Sequence, residues 1–116
     1  MGKKVEYKQE LKGVGDDTQD VDVVDVKVRR GYKRTIQHLS LEDETSGCTQ
    51  VRIGYNRNGT LHWWVEQESP QAGVLYWMND TKILQAGDIL TTRWEDTEND
   101  DVLAVYVDGF TEKVNP

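Results

Sequence analysis

The sequence predicts an all-β fold: a two-sheet antiparallel β-sandwich preceded by an extended N-terminal arm. Three observations point there. No window of the 116 residues keeps apolar side chains at the i, i+3, i+4, i+7 spacing of an amphipathic helix for even three turns. Short runs alternate apolar and polar residues instead, the period of a half-buried strand. Gly or Pro breaks these runs roughly every 8–15 residues, as expected for strands joined by turns. About seven or eight strands result, enough for two packed sheets in jelly-roll or immunoglobulin-like order.

Residues 1–19 are polar and charged, and their apolar members (Val5, Tyr7, Leu11, Val14) show no sustained period. This segment is read as a flexible arm, unstructured alone or extended along a partner, with Lys3, Lys4 and Tyr7 as its candidate contacts. The sandwich domain is expected over 20–116. VDVVDVKV (21–28) changes phase between Val23 and Val24, the mark of a bulge or a sheet crossing. TIQHLSLE (35–42) is a second strand, with a slip between Ile36 and Leu39. EDETSG is a loop. TQVRIGYN (49–56) alternates through Val51, Ile53 and Tyr55, and Arg57-Asn58-Gly59 turns it into TLHWWVEQ, since Asn-Gly supplies the positive-φ positions of a tight hairpin. VLYWM (74–78), a short Lys82-Ile83-Leu84, ILTTRWE (89–95) and VLAVYV (102–107) are the remaining strands. Gln85–Asp88 and the acidic DTENDD (96–101) are turns, and Asp108-Gly109 is expected to end the last strand.

Adjacent tryptophans, Trp63 and Trp64, pose a problem inside a strand, because neighbouring side chains point to opposite faces. With Leu61, Trp63 and Val65 in one phase facing Val51, Ile53 and Tyr55, Trp63 is expected in the core and Trp64 outside, beside His62. A covered tryptophan buries about 150–250 Å², so an outward one invites a cover: the arm, another protein or copy, or a sugar ring. Tyr76, Trp77 and Trp94 raise the same question. Together, Trp64, His62, Tyr76, Trp77 and Trp94 form the candidate binding surface.

Composition narrows the function classes. The net charge of −7 argues against general nucleic-acid binding, which needs a basic surface to displace counterions, and against an anionic membrane surface. Lys27, Arg29, Arg30, Lys33 and Arg34 cluster locally and are read as a solvated strand end and turn. The single cysteine, Cys48, forms no internal disulfide. No apolar run of signal-peptide or membrane-spanning length is present, so synthesis in a cytoplasm is expected. The two histidines, His38 and His62, stand at no metal-ligand spacing with Cys48. Cys48 itself is read as a small, partly buried thiol. The acidic runs Asp96, Glu98, Asp100, Asp101 and Asp16, Asp17, Asp20, Asp22 lack the Gly and the closing Glu of an EF-hand. No metal, cofactor or catalytic set is therefore expected.

Residues 83–110, ILQAGDILTTRWEDTENDDVLAVYVDGF, combine an Ala-Gly-Asp turn, a strand, a polar turn ending in Asp, a strand and Asp-Gly-aromatic, after the hairpin VRIGYNRNGTLHWW. This pattern resembles the small β-sandwich virion proteins of tailed bacteriophages, over roughly residues 49–110. The resemblance implies a non-enzymatic structural subunit: head decoration, head–tail connector or tail component. It implies synthesis in the host bacterial cytoplasm, docking on other virion proteins and a homo-oligomer. The alternative from a different class is a carbohydrate-binding module that stacks sugars on exposed tryptophans.

Overall fold

The computed structural model describes residues 3–114, and over them the chain forms nine strands and no helix. In chain order these are β1 (Lys4–Val14), β2 (Val21–Val24), β3 (Tyr32–Asp43), β4 (Gln50–Arg57), β5 (Thr60–Glu68), β6 (Tyr76–Met78), β7 (Lys82–Leu84), β8 (Ile89–Glu95) and β9 (Val102–Lys113). The β4–β5 hairpin is centred on Asn58 and Gly59, with φ of 53° and 87°, the left-handed pair that matches the twist of the flanking strands. Outward from this hairpin, each strand pairs antiparallel with its counterpart: β3 with β6 and β7, β2 with β8, β1 with β9. Pairing of β3 with β9 and of β4 with β8 then gathers the ribbon into two sheets, β1-β9-β3-β6 with β7 also on β3, and β2-β8-β4-β5. A doubled ribbon wrapped into two sheets is a jelly roll. The sandwich expected from the sequence is thus present, and first-to-last pairing decides its order.

The segment expected to be an arm is, over Lys4–Val14, an edge strand bonded to β9 along its whole length. Tyr7, Gln9, Leu11 and Gly13 turn toward the interior, while Lys4, Glu6, Lys8, Glu10 and Lys12 line the outer face. Val5, Tyr7 and Leu11 therefore do share a period of two. Gln9 fills the gap in it, and charges on the other face hide it. The alternating charges also suit a long exposed edge, where they discourage pairing with foreign strands.

The core lies between the sheets and includes Ile36, Leu39, Leu41, Val51, Leu84, Leu90, Leu103 and Val105. Trp94, expected on the binding surface, is 0% exposed at its centre. Its indole N–H donates to Thr92 Oγ1 at 3.0 Å, which satisfies the one polar atom that burial would strand. The reason is register: Trp94 lies opposite Val21 on one side and Val51 on the other, both on inward faces.

Two strands slip. In β3 the register shifts between Ile36 and His38, where the sequence places a slip. In β5 it shifts opposite Ile53 and Gly54. Each bulge faces a glycine: a Cβ on Gly109 would sit 1.9 Å from the Thr35 carbonyl oxygen, and one on Gly54 would sit 1.9 Å from that of His62. Asp108-Gly109 hence does not end β9, which runs on to Lys113. The slip expected after Val23 comes later, past the end of β2, between Asp25 and the buried Val28. Val24 and Val26 are 48% and 60% exposed, and Asp25 takes the inward position between them. Polar partners for Asp25, described below, reverse the phase that the valines suggest. The run VLYWM contributes only Tyr76–Met78 as strand, leaving Val74 and Leu75 exposed in the preceding loop.

Candidate interaction surfaces

The β5 bulge resolves the paired tryptophans, with the opposite assignment to the expected one. Gly54 pairs with Trp63 and Ile53 with Val65, so Trp64 is the extra residue. A bulge lets two successive side chains take the same side. Trp64 and Val65 both pack against the core. Trp64 lies 5.2 Å from the Tyr55 ring, with Lys82 Nζ 5.8 Å above it. His62 stacks on Tyr55 at 4.9 Å and an interplanar angle of 20°. Trp63 takes the outer face instead, opposite Gly54, where no side chain stands in its way. The Arg52 and Arg93 guanidiniums flank it at 6.0 and 5.6 Å from the ring centre. Asp22 holds Arg93 through two hydrogen bonds of 2.8 and 3.0 Å, and Glu66 holds Arg52 at 3.1 Å. The missed signal was Gly54 itself, a glycine inside a strand and hence a bulge marker.

Trp77 is the most exposed aromatic on the outer face of the β1-β9-β3-β6 sheet. It is 63% exposed on β6, opposite Ser40, with its ring 6.4 Å from His38. His38 is fixed by Asn79, whose side-chain oxygen lies 2.5 Å from Nδ1. Val74 and Leu75, in the loop before β6, and Ile83, on β7, are exposed as well. Tyr76 points the other way, packs on the core and accepts the Gln71 backbone N–H at 3.0 Å. Of the candidate surface, then, Trp77 is outward, His62 and Trp64 line the inner rim of β5, Tyr76 is half-buried, and Trp94 is core.

The expected arm contacts turn inward or along the molecule. Lys4 lies 4.6 Å from the centre of the Phe110 ring. Lys3 is exposed at the start of β1. Tyr7 donates its hydroxyl to the buried Asp25 carboxylate at 2.8 and 2.6 Å, and Arg34 stacks over its ring at 3.9 Å. Burial, then the hydrogen bond to Asp25, pushes the Tyr7 hydroxyl up to about 12. Arg34, expected on a solvated strand end, is buried and donates to the Val26 carbonyl at 3.0 Å, with Asp25 Oδ2 at 3.5 Å.

At the opposite end, Asp43 is fully buried beside Asp101. Its Oδ1 accepts the Thr45 and Ser46 backbone N–H groups at 3.1 Å each, while Oδ2 has no donor among the described residues. Asp101 accepts the Ser46 hydroxyl at 2.5 Å. Burial, then the Asp101 carboxyl next to it, pushes Asp43 up from 3.8 to about 6. A proton on Oδ2 supplies the missing donor. The folded state therefore holds this proton more tightly than the unfolded chain does, and its contribution is complete below about 3.8 and lost as pH rises through about 6. Urea unfolding is expected to show stability rising by on the order of 2 kcal/mol between pH 7 and pH 4 from this pair. Asp43→Asn should flatten that rise; an unchanged slope would remove the pair as its source. Cys48, near by, is pushed up to about 11 by burial and then by the Asp43 charge, a thiol with little thiolate at neutral pH.

No protein-family model matches the chain, and no curated protein matches it in sequence. Among solved structures, it is similar to a protein of Bacillus endospore appendages, which form disulfide-linked pili: TM-score 0.55, 11% identity, 99% of this chain and 92% of that one. It is also similar to part of a protein from Bacteroides thetaiotaomicron assigned as an alpha-L-fucosidase, with TM-score 0.50 and 10% identity, covering 90% of this chain and 22% of that one. A Drosophila NLP core, from a structure concerned with pentamer formation and histone binding, matches at TM-score 0.45 and 13% identity over 92% of this chain and 97% of that one. At these identities the first two likenesses show a shared fold alone.

Proposed function

We propose that this chain is a non-enzymatic structural subunit of a tailed-phage virion, at the head surface, the head–tail joint or the tail, acting by protein–protein docking. One observation carries the docking: Trp77 is 63% exposed on β6, at the edge of its sheet. A tryptophan left this exposed marks a contact site, because tryptophan is enriched where binding energy concentrates. The 83–110 pattern supports the virion as the setting. Mass-spectrometric inventory of purified particles tests the setting, and absence of the chain from them would end that part of the proposal. For the docking, Trp77→Ala is expected to weaken binding to particles at least about 30-fold, the equivalent of roughly 2 kcal/mol. Its urea midpoint should stay unchanged, because the ring is exposed. Equal binding by wild type and variant would move the contact elsewhere.

Carbohydrate binding is the second reading, with Trp63, on the outer face between Arg52 and Arg93, as the stacking ring to test. Tryptophan fluorescence titration with oligosaccharides separates the two: a saturable change lost in Trp63→Ala favours the sugar.

A further inference from the structure

Charge is segregated along the 45 Å long axis. The two ends of β9, Val102 and Lys113, lie on the order of 36 Å apart at strand rise, and each marks one tip of the molecule. Near Lys113, the acids are spent internally: Asp25 on Arg34, Asp88 on Arg57 and Glu112 on Lys33. Lys3, Lys27, Arg29, Arg30 and Lys113 make no ion pair among the described residues. All of these but Lys27 line one or other of two concavities that share Tyr32. One, of about 370 Å³, is lined by Arg30, Tyr32, Ala86 and Val114, and the other, of about 480 Å³, by Lys3, Val5, Arg29 and Lys113. This tip is a cationic cleft with an apolar floor.

Near Val102 the balance reverses. The cations there are already used, Lys12 on Glu44 and Arg93 on Asp22. Asp16, Asp17, Asp20, Asp96, Glu98 and Asp100 are exposed and unpaired among the described residues. Their two loops are zipped together: Thr18 N–H donates to the Thr97 carbonyl at 2.8 Å, Thr97 N–H to that of Gln19 at 3.1 Å, and Asp100 N–H to that of Gly15 at 3.2 Å. Buried Thr97 sits between them, donating to the Gln19 carbonyl and accepting the Asp16 N–H. No group of side chains among the described residues could hold a metal ion to offset this charge. The acidic tip is a shaped, fixed projection; the basic tip is a recess.

We infer that copies of this chain associate end to end, the acidic double loop of one seated in the cationic cleft of the next. Because the two surfaces lie at opposite ends, the contact is heterologous: copies add one after another, in an open chain unless the rotation between them closes a ring. This goes beyond docking through Trp77, and the two stand or fall separately.

Sedimentation velocity on the full chain tests it. In about 20 mM salt, average mass should climb with protein concentration; in about 0.5 M salt, where screening reaches only a few Å, it should return to one copy. The double variant Arg29→Glu, Arg30→Glu weakens the cleft and keeps the acidic loops, and Asp17→Lys, Glu98→Lys weakens the loops and keeps the cleft. Each alone should stay monomeric, and a one-to-one mixture should associate again, which also shows that both are folded. A wild-type monomer at low salt, a species that stops at two copies, or a mixture that fails to associate would overturn the inference. If association survives salt and charge reversal but falls with Trp77→Ala, the end-to-end contact is gone while docking through Trp77 stands.

Discussion

Gly54→Ala is expected to destabilise the protein by at least ~3 kcal/mol, against the ~5–15 kcal/mol that holds a typical domain together. The added methyl would lie 1.9 Å from the His62 carbonyl oxygen, 2.8 Å from its carbon and 2.9 Å from the Trp63 Cα. All three atoms are backbone, so no rotamer change relieves the clash. β4 and β5 must separate, or the bulge must move. Moving it reverses the faces of Trp63 and Trp64, because a one-residue slip exchanges inside for outside. The measurement is urea unfolding followed by tryptophan fluorescence, which reports stability and the environment of the two indoles together. A loss under ~1 kcal/mol with unchanged emission would mean that the bulge is not held by this glycine.

Arg34→Ala is expected to cost ~3–5 kcal/mol, because it leaves a buried carboxylate without its cation. The Asp25 side chain is 0% exposed, and it keeps only the Tyr7 hydroxyl and the Val26 N–H as donors once the guanidinium is gone. The Val26 carbonyl loses its partner as well. Asp25→Val with Arg34→Met should recover much of the loss, since an apolar pair of similar size has no charge to desolvate. Denaturant unfolding of Asp25→Val, Arg34→Met and the double variant closes the cycle. A coupling below ~0.5 kcal/mol would show that the two residues act independently. The cluster also joins β1 to the segment after β2 and to β3, so the edge strand should fray first in Arg34→Ala. Faster amide exchange over residues 4–14 would report it.

Much of the architecture was legible in residue order because turns and faces are local. Asn58-Gly59 needs only its own φ values, and Ala86-Gly87-Asp88 needs only Gly87 at φ 92° and the Asp88 carboxylate on the Gln85 N–H. The slip in β3 showed because Ile36 and Leu39 are both apolar and out of phase. The surfaces were less legible. Trp63 and Trp64 exchange roles through Gly54, whose effect depends on which backbone atom faces it across the ladder. Trp94 was indistinguishable from an outward aromatic until Val21 and Val51 were placed on either side of it.

Residue order by itself determined that this chain is a two-layer antiparallel sandwich, that its tight hairpin is centred on Asn58-Gly59, and that its loops are acidic around Asp96–Asp101. Only the tertiary structure decided that Lys4–Val14 closes the fold against β9, which tryptophan faces outward, and that unlike charges collect at opposite ends. Alternation and turn chemistry act between near neighbours along the chain. Pairing of first strand with last, and the sorting of charges to the tips, act between residues a hundred positions apart, and no local pattern records which of them will meet.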